Sequence, residues 1–331
     1  MTRIYLIRHA EAEGNLFRVA HGQYNSTITP RGYRQLHFLR QRFRDIPIDA
    51  VYGSDLLRAH TTASAIYIPK NLPFHPLPLL REIRLGCWEQ KTWGEIQEMG
   101  EENYGHFNLR PHLWQAEGAE TFAEVRDRML EAVRLMAAEN PGKTVAATSH
   151  GAALRTLLGT LEGKTLAEIG TTGHGDNTAV SLLEVDGDEI RVIFRDDNAH
   201  IPAEFSTFRR QSWHSNDAAT EPGLCFRPLR QESGRLELEA GLGGENAGYI
   251  SMQAEDSLLR LTRFEVVPHL RGQRYGVQLL GQAVQYARTL GLDRVAPGFP
   301  ELDDYFRQYG FPADTQGELV LDYSRILRPI P

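Results

Sequence analysis

Short β-rich apolar runs alternate with longer amphipathic segments over the first two thirds of the chain. Residues 4–7 and 145–148 read as buried strands. Between them, residues 31–43 and 121–138 carry apolar positions at helical spacing, and in the second Phe122, Val125, Met129, Val133 and Met136 share one side. This alternation predicts an α/β domain with a mostly parallel sheet over residues 1–205. The period then fails: residues 205–223 are rich in Ser, Asn, Asp and Arg and end in Pro222-Gly223, so 206–222 is expected to be a linker. In residues 223–331, strands are expected at 249–253, 258–267 and 319–323, with a helix at 277–290 closed by Gly291.

Length agrees with two units, because 331 residues exceed the about 100 to 200 of one typical domain. Composition shifts at the same point, since no Lys follows Lys164. The net charge of −7 argues against nucleic acid or an anionic membrane as the main partner. Cys87 and Cys225 are the only cysteines, too far apart for a disulfide framework or a Cys zinc site, which suits a reducing cytoplasm. No apolar run has the length of a secretory signal or a membrane span, so a cytoplasmic protein is expected.

The candidate chemistry sits where the first-domain strands end. One runs into Arg8-His9-Ala10-Glu11 and another into Ser149-His150-Gly151. In open α/β sheets ligands bind at the carboxyl edge of the strands, so the two imidazoles can converge on one crevice. Ser54 to Ala59 reads as the start of a helix that aims its N–H groups and Arg58 at the same edge. Arg8 and Arg58 would then form a permanently charged clamp for a phosphoryl group.

The ordered set Arg8-His9-x-Glu11-x-x-x-Asn15, Thr29-x-x-Gly32, Ser54-x-x-x-Arg58-x-x-x-Thr62, Glu82 and Ser149-His150-Gly151 resembles the histidine phosphatase, or phosphoglycerate mutase-like, superfamily. Ala10 stands where many members have Gly. The resemblance implies a three-layer domain in which His9 is the nucleophile and forms a phosphohistidine. Arg8, Arg58 and His150 would hold the equatorial oxygens, and Glu82 would move the proton to and from the leaving and attacking oxygens. Asn15, Ser54 and Gly151 would meet phosphate or substrate, and no metal would be needed. Asn15 answers equally well to an Asx turn after Gly14. Glu89, Glu95 and Glu11 compete with Glu82, which family position alone favours. Residues 86–120 are expected to form a lid with Trp88, Trp93, Tyr104, Phe107 and Trp114 as aromatic walls or as packing between helices. Residues 86–92 resemble the phosphatase branches, so the expected substrate is a small phosphorylated metabolite, with a mutase-type phosphotransferase as the alternative.

In the second part, a β-rich segment leads through His269-Leu270-Arg271-Gly272-Gln273-Arg274-Tyr275-Gly276 into a helix, followed by Tyr305-Phe306-Arg307-Gln308-Tyr309-Gly310-Phe311. Together these resemble the GNAT acetyltransferases, a smaller α+β fold. The resemblance implies an acetyl-CoA site lined by Phe264, Val266, Val267, Arg271, Gly272 and Gly276. Three departures stand out: Arg274 replaces a Gly, Phe306 replaces a proton-donating Tyr, and residues 224–248 are too few for the two early helices of the acceptor site. A working N-acetyltransferase, with the first domain as its recognition unit, and a degenerate module for ligand binding, packing or dimerisation are both compatible with this pattern. A scaffold lacking both activities has no physical reason to gather two imidazoles and two guanidiniums at one sheet edge.

Overall fold

A computed structural model describes residues 1–210 and 223–322. The first domain runs β1 (Thr2–Arg8), α1 (Glu13–Phe17), α2 (Pro30–Phe43), β2 (Ala50–Gly53), α3 (Leu57–Lys70), β3 (Phe74–Pro76), α4 (Trp93–Met99), α5 (Glu101–Leu109), α6 (Phe122–Glu139), β4 (Thr144–Ser149), α7 (Gly151–Leu161), β5 (Val180–Asp186) and β6 (Glu189–Asp197). Its sheet has the order β3-β2-β4-β1-β5-β6. The first four strands are mutually parallel, and β5 and β6 extend the sheet antiparallel.

Strand alternation explains the three layers. Ile4, Leu6, Tyr52, Val145 and Ala147 point to the face covered by α6 and α7, whereas Ile7, Val51 and Ala146 point to the face covered by α2 and α3. The helices begin where the sequence offers caps. Thr29 caps α2 by accepting from the Gly32 amide, and Thr121 with Glu124 forms a capping box on α6.

The second domain comprises β7 (Cys225–Glu232), β8 (Arg235–Leu242), β9 (Glu245–Glu255), β10 (Leu258–Val266), α8 (Tyr275–Thr289), β11 (Arg294–Ala296), α9 (Asp303–Arg307) and β12 (Leu321–Asp322), with the strands in sequential order across one sheet. The stretch between Leu224 and Gly248 forms strands and contains no helix, as its length implied. Of the expected linker, Ser206 and Thr207 are buried on the first domain, where Ser206 bonds Asp176 and the Thr207 hydroxyl accepts from Gln35; residues 211–222 lie outside the described residues. So does the last residue of the strand expected at 319–323.

The two domains share a core. Leu16, Phe17 and Val19 of the first domain are buried among the apolar residues of α8 and the second sheet. Gly281 allows this approach: a Cβ there would lie 2.6 Å from Cβ of Phe17. Burial of three such side chains is worth about 1.5–3 kcal/mol each, which ties α1 to α8. Among the described residues no helix is long and apolar enough to cross a membrane.

Candidate active site

Parallel pairing of β1 with β4 places Arg8 opposite Ser149, so the next residues on each strand, His9 and His150, emerge side by side. Their ring centroids are 5.2 Å apart. Arg58 arrives from α3, which follows the neighbouring strand β2, and it is only 1% exposed. The resulting recess is lined by Arg8, His9, Arg58, Glu82 and Gly151, all expected from the sequence.

Second contacts fix the reactive atoms. His9 Nδ1 lies 2.8 Å from the carbonyl of Ala10. A carbonyl only accepts, so the proton of the neutral ring resides on Nδ1 and the lone pair on Nε2. Asn177 donates to the His9 carbonyl, and the Thr62 hydroxyl accepts from the Ala10 amide. Burial, then Arg58 and Arg8, hold His9 well below the ordinary imidazole range. Its ring is therefore unprotonated at neutral pH.

Arg58 donates from Nη1 to the Tyr24 carbonyl at 2.9 Å and from Nη2 to the Gly22 carbonyl at 2.7 Å. Burial lowers its pKa to about 10, opposed by Glu82 and Glu89, so it stays charged at neutral pH. Arg8 donates to the Gly175 carbonyl and is likewise lowered by burial while Asp176 and Glu82 oppose the shift. The Arg8 guanidinium lies directly against Gly151, where a Cβ would be in ordinary van der Waals contact with it at 3.4 Å. Arg58 Nε and His150 Nδ1 are buried without a hydrogen-bond partner among the described residues. An anion among these groups would satisfy both.

Glu82 is separated from its rivals by hydrogen bonding. Its carboxylate accepts from the amides of Ala152 and Ala153 in the first turn of α7, and from its own neighbour Ile83. That pins it at the cavity, beside the positive end of a helix. The other acids serve structure: Glu89 accepts from Gln23 and Leu85 amides, Glu95 closes the capping box of α4, and Glu11 is bonded by Thr29.

Several expectations need correction. Ser54 is fully buried, with its hydroxyl 2.8 Å from Nε2 of His150, and so holds that imidazole rather than lining the recess. Nor does a helix begin at Ser54. Helix α3 starts at Leu57, whose amide donates to Asn25 Oδ1, so the helix N-terminus at the crevice is that of α7. Asn15 lines the recess, but its Oδ1 accepts from the Ala12 amide at the start of α1. Trp88 and Trp114 are packed in the core, with centroids 5.3 Å apart, whereas Trp93, Tyr104 and Phe107 do form walls. Sequence reasoning missed Arg18, His21, Asn108 and His174 on the cavity wall. A His directly before Gly22, near the motif, was the one available signal.

His21 and His150, like His9, are held well below the ordinary imidazole range, by burial first and Arg58 second. In the unfolded chain each would titrate near about pH 6.5. Below that value the unfolded state binds more protons than the folded one, so stability falls as pH drops from there toward the depressed folded values. The urea midpoint is therefore expected to change little between pH 8 and 7 and to fall by pH 5.5. His150→Asn should flatten that decline, and an identical slope in wild type and variant would remove this explanation.

In the second domain, β10 pairs with β11 only at Leu259–Val295 and Arg260–Ala296, while β10 itself continues to Val266. Strand β11 ends at Ala296, so Phe264 and Val266 lie on the part of β10 that runs on beyond it, and Val267 follows directly. Gly272 (φ 77°) and Arg274 (φ 68°) both adopt left-handed backbone before α8. Arg274 thus keeps the conformation favoured by Gly at an energetic cost. Arg271 reaches back to donate to the Val266 carbonyl. Gly276 faces Tyr305, whose hydroxyl would lie 2.5 Å from a Cβ at that position. Phe306 is wholly buried against Phe264 and Phe311. Among the described residues no group of three or more His, Cys, Asp or Glu could hold a metal ion.

Comparison with known proteins agrees with this geometry. The model of the histidine phosphatase superfamily (branch 1) matches residues 4–198, and that of the GNAT acetyltransferase family matches residues 200–311. Phosphoserine phosphatase 1 of Hydrogenobacter thermophilus is 27% identical over 186 residues, covering 56% of this chain and 88% of that protein. A probable phosphoglycerate mutase GpmB of Yersinia pestis is 31% identical over 163 residues, covering 49% and 76%. Among solved structures, Bacillus stearothermophilus YhfR is 33% identical with a TM-score of 0.59, covering 60% of this chain and 99% of its own. The first strands, the paired histidines and the matched residues coincide, and the chain belongs to the histidine phosphatase superfamily, as a phosphatase-type domain joined to a GNAT module.

Proposed function

We propose that the first domain is a metal-independent phosphomonoesterase that acts through a phosphohistidine on a small phosphorylated metabolite, and that the second binds acetyl-CoA. The observation that carries the first half is the neutral, buried His9 with its lone pair on Nε2, set between two charged guanidiniums and beside a helix-held carboxylate. His9 Nε2 attacks phosphorus, the P–O ester bond breaks, and Glu82 gives its proton to the leaving oxygen. Arg8, Arg58 and His150 stabilise the charge on the equatorial oxygens. Water then attacks the phosphohistidine, Glu82 takes its proton, the N–P bond breaks and inorganic phosphate leaves.

The wall beyond the phosphate position combines Trp93, Tyr104 and Phe107 with Arg18 and His174. Phosphoserine and phosphoglycerate, named in the relatives, carry a carboxylate near the phosphate, and Arg18 supplies a cation to meet one. The test is phosphate release, in EDTA, from p-nitrophenyl phosphate, O-phosphoserine, 3-phosphoglycerate and other metabolite phosphates. Release from at least one is expected; activity lost in EDTA and restored by metal would place the reaction in another class. The mutase reading, favoured by the resemblance to GpmB, would instead put the phosphoryl group on a second phosphoglycerate position.

For the second domain, the stretch of β10 that runs on beyond β11 and the Gly272 turn favour acetyl-CoA binding, with Gly272 giving the pyrophosphate access to the amides at the start of α8. Buried Phe306 and the strands, rather than helices, over residues 225–255 oppose transfer to an acceptor. Calorimetric titration of the full chain should show acetyl-CoA binding that weakens at least about tenfold in Gly272→Val. Equal affinity in both would dismiss this loop as the site.

A further inference from the structure

Helix α8 presents Gly281, Gln285 and Arg288 to the first domain, at spacings of four and three residues that form one stripe. Gly281 seats Phe17, and Gln285 donates to the Gln90 carbonyl at 2.7 Å. The last of the three reaches furthest. Arg288 donates from Nη2 to Glu13 Oε1 at 2.7 Å and from Nη1 to the Tyr24 hydroxyl at 2.8 Å. Glu13 in turn accepts from the Thr27 hydroxyl at 2.6 Å. One guanidinium from the second domain therefore ties together both ends of the segment 13–27.

That segment carries the two carbonyls, Gly22 and Tyr24, on which Arg58 is hung. We propose that Arg288 of the second domain is a positioning residue for the phosphate site of the first: it sets the segment whose carbonyls aim the Arg58 guanidinium. The inference rests on the reading of that site as the phosphate pocket. Without Arg288, the Glu13 carboxylate and the Tyr24 ring lose their common anchor, and the Gly22 and Tyr24 carbonyls can shift with the loop. A displacement of about 1 Å in a charged clamp is enough to cost orders of magnitude in rate. His21, on the same segment, also feels the Arg288 charge. Arg288 does not line the recess; its influence passes through the segment it holds.

The test compares full-length wild type, Arg288→Ala, Arg288→Lys and Tyr24→Phe by p-nitrophenyl phosphate kinetics and by calorimetric binding of inorganic phosphate. Arg288→Ala is expected to weaken phosphate binding and lower kcat/KM by about tenfold, with Arg288→Lys recovering part of both. Tyr24→Phe leaves the Arg288–Glu13 pair intact and removes only the bonded hydroxyl. It should lose about threefold, and this variant decides the matter if Arg288→Ala unfolds. Unchanged phosphate affinity in folded Arg288→Ala, or in Tyr24→Phe when the first variant is unfolded, would overturn the proposal. If wild type binds phosphate but hydrolyses no ester, the phosphatase reading fails, while the fall in affinity would still support the role of Arg288. If wild type does neither, both fall.

Discussion

Replacing His9 with Ala is expected to reduce phosphate release by about 10⁴-fold or more, with the circular dichroism spectrum unchanged. The groups gathered with His9 at the strand ends are poor substitutes for it. His150 is already bonded through Nε2 to Ser54. Arg8 and Arg58 remain charged and cannot donate a lone pair. The substitution also removes a desolvated imidazole from beside two guanidiniums, so phosphate itself should still bind. A variant that binds phosphate and fails to turn over separates the nucleophile from the clamp. A His9→Ala enzyme with wild-type turnover would eliminate the assignment.

Glu82→Gln should produce a different failure. An alkyl phosphate needs a proton on its departing oxygen, and loss of the acid is expected to slow such esters by about 10²–10⁴-fold. p-Nitrophenolate leaves without that help, so the first step should survive on the aryl ester. Its second step still lacks the base that activates water. Glu82→Gln should therefore release a stoichiometric burst of p-nitrophenol and then turn over slowly, with phosphohistidine accumulating. Gln also places an NH₂ where the carboxylate accepted from Ala152, and a modest loss of stability should accompany the change. Equal slowing of aryl and alkyl esters, without a burst, would show that Glu82 does not handle the proton.

Much of the site was legible because strand ends and motif residues coincide. The registered pairing of β1 with β4 turns two remote triplets into neighbouring imidazoles, and buried parallel strands are readable as apolar runs. Where backbone groups do the holding, the sequence is silent. The carbonyls of Gly22 and Tyr24 that receive Arg58, and the α7 amides that receive Glu82, carry no residue signature. That Ser54 bonds His150 is not readable in the sequence, because a side chain at a strand end can turn toward either the ligand or its neighbour. The shared core of the domains was invisible for a related reason. Leu16, Phe17 and Val19 look like ordinary helix residues, and only α8 reveals what covers them.

Rapid acid-free quenching of the full-length enzyme with a ³²P-labelled phosphomonoester, followed by peptide mapping, examines the covalent step itself. The expected result is a label on His9 that is stable in base and lost in acid, approaching one per chain in Glu82→Gln and missing in His9→Ala. Turnover by wild type without any label, in a quench fast enough to capture the Glu82→Gln burst, or a label on another residue, would contradict the phosphohistidine mechanism.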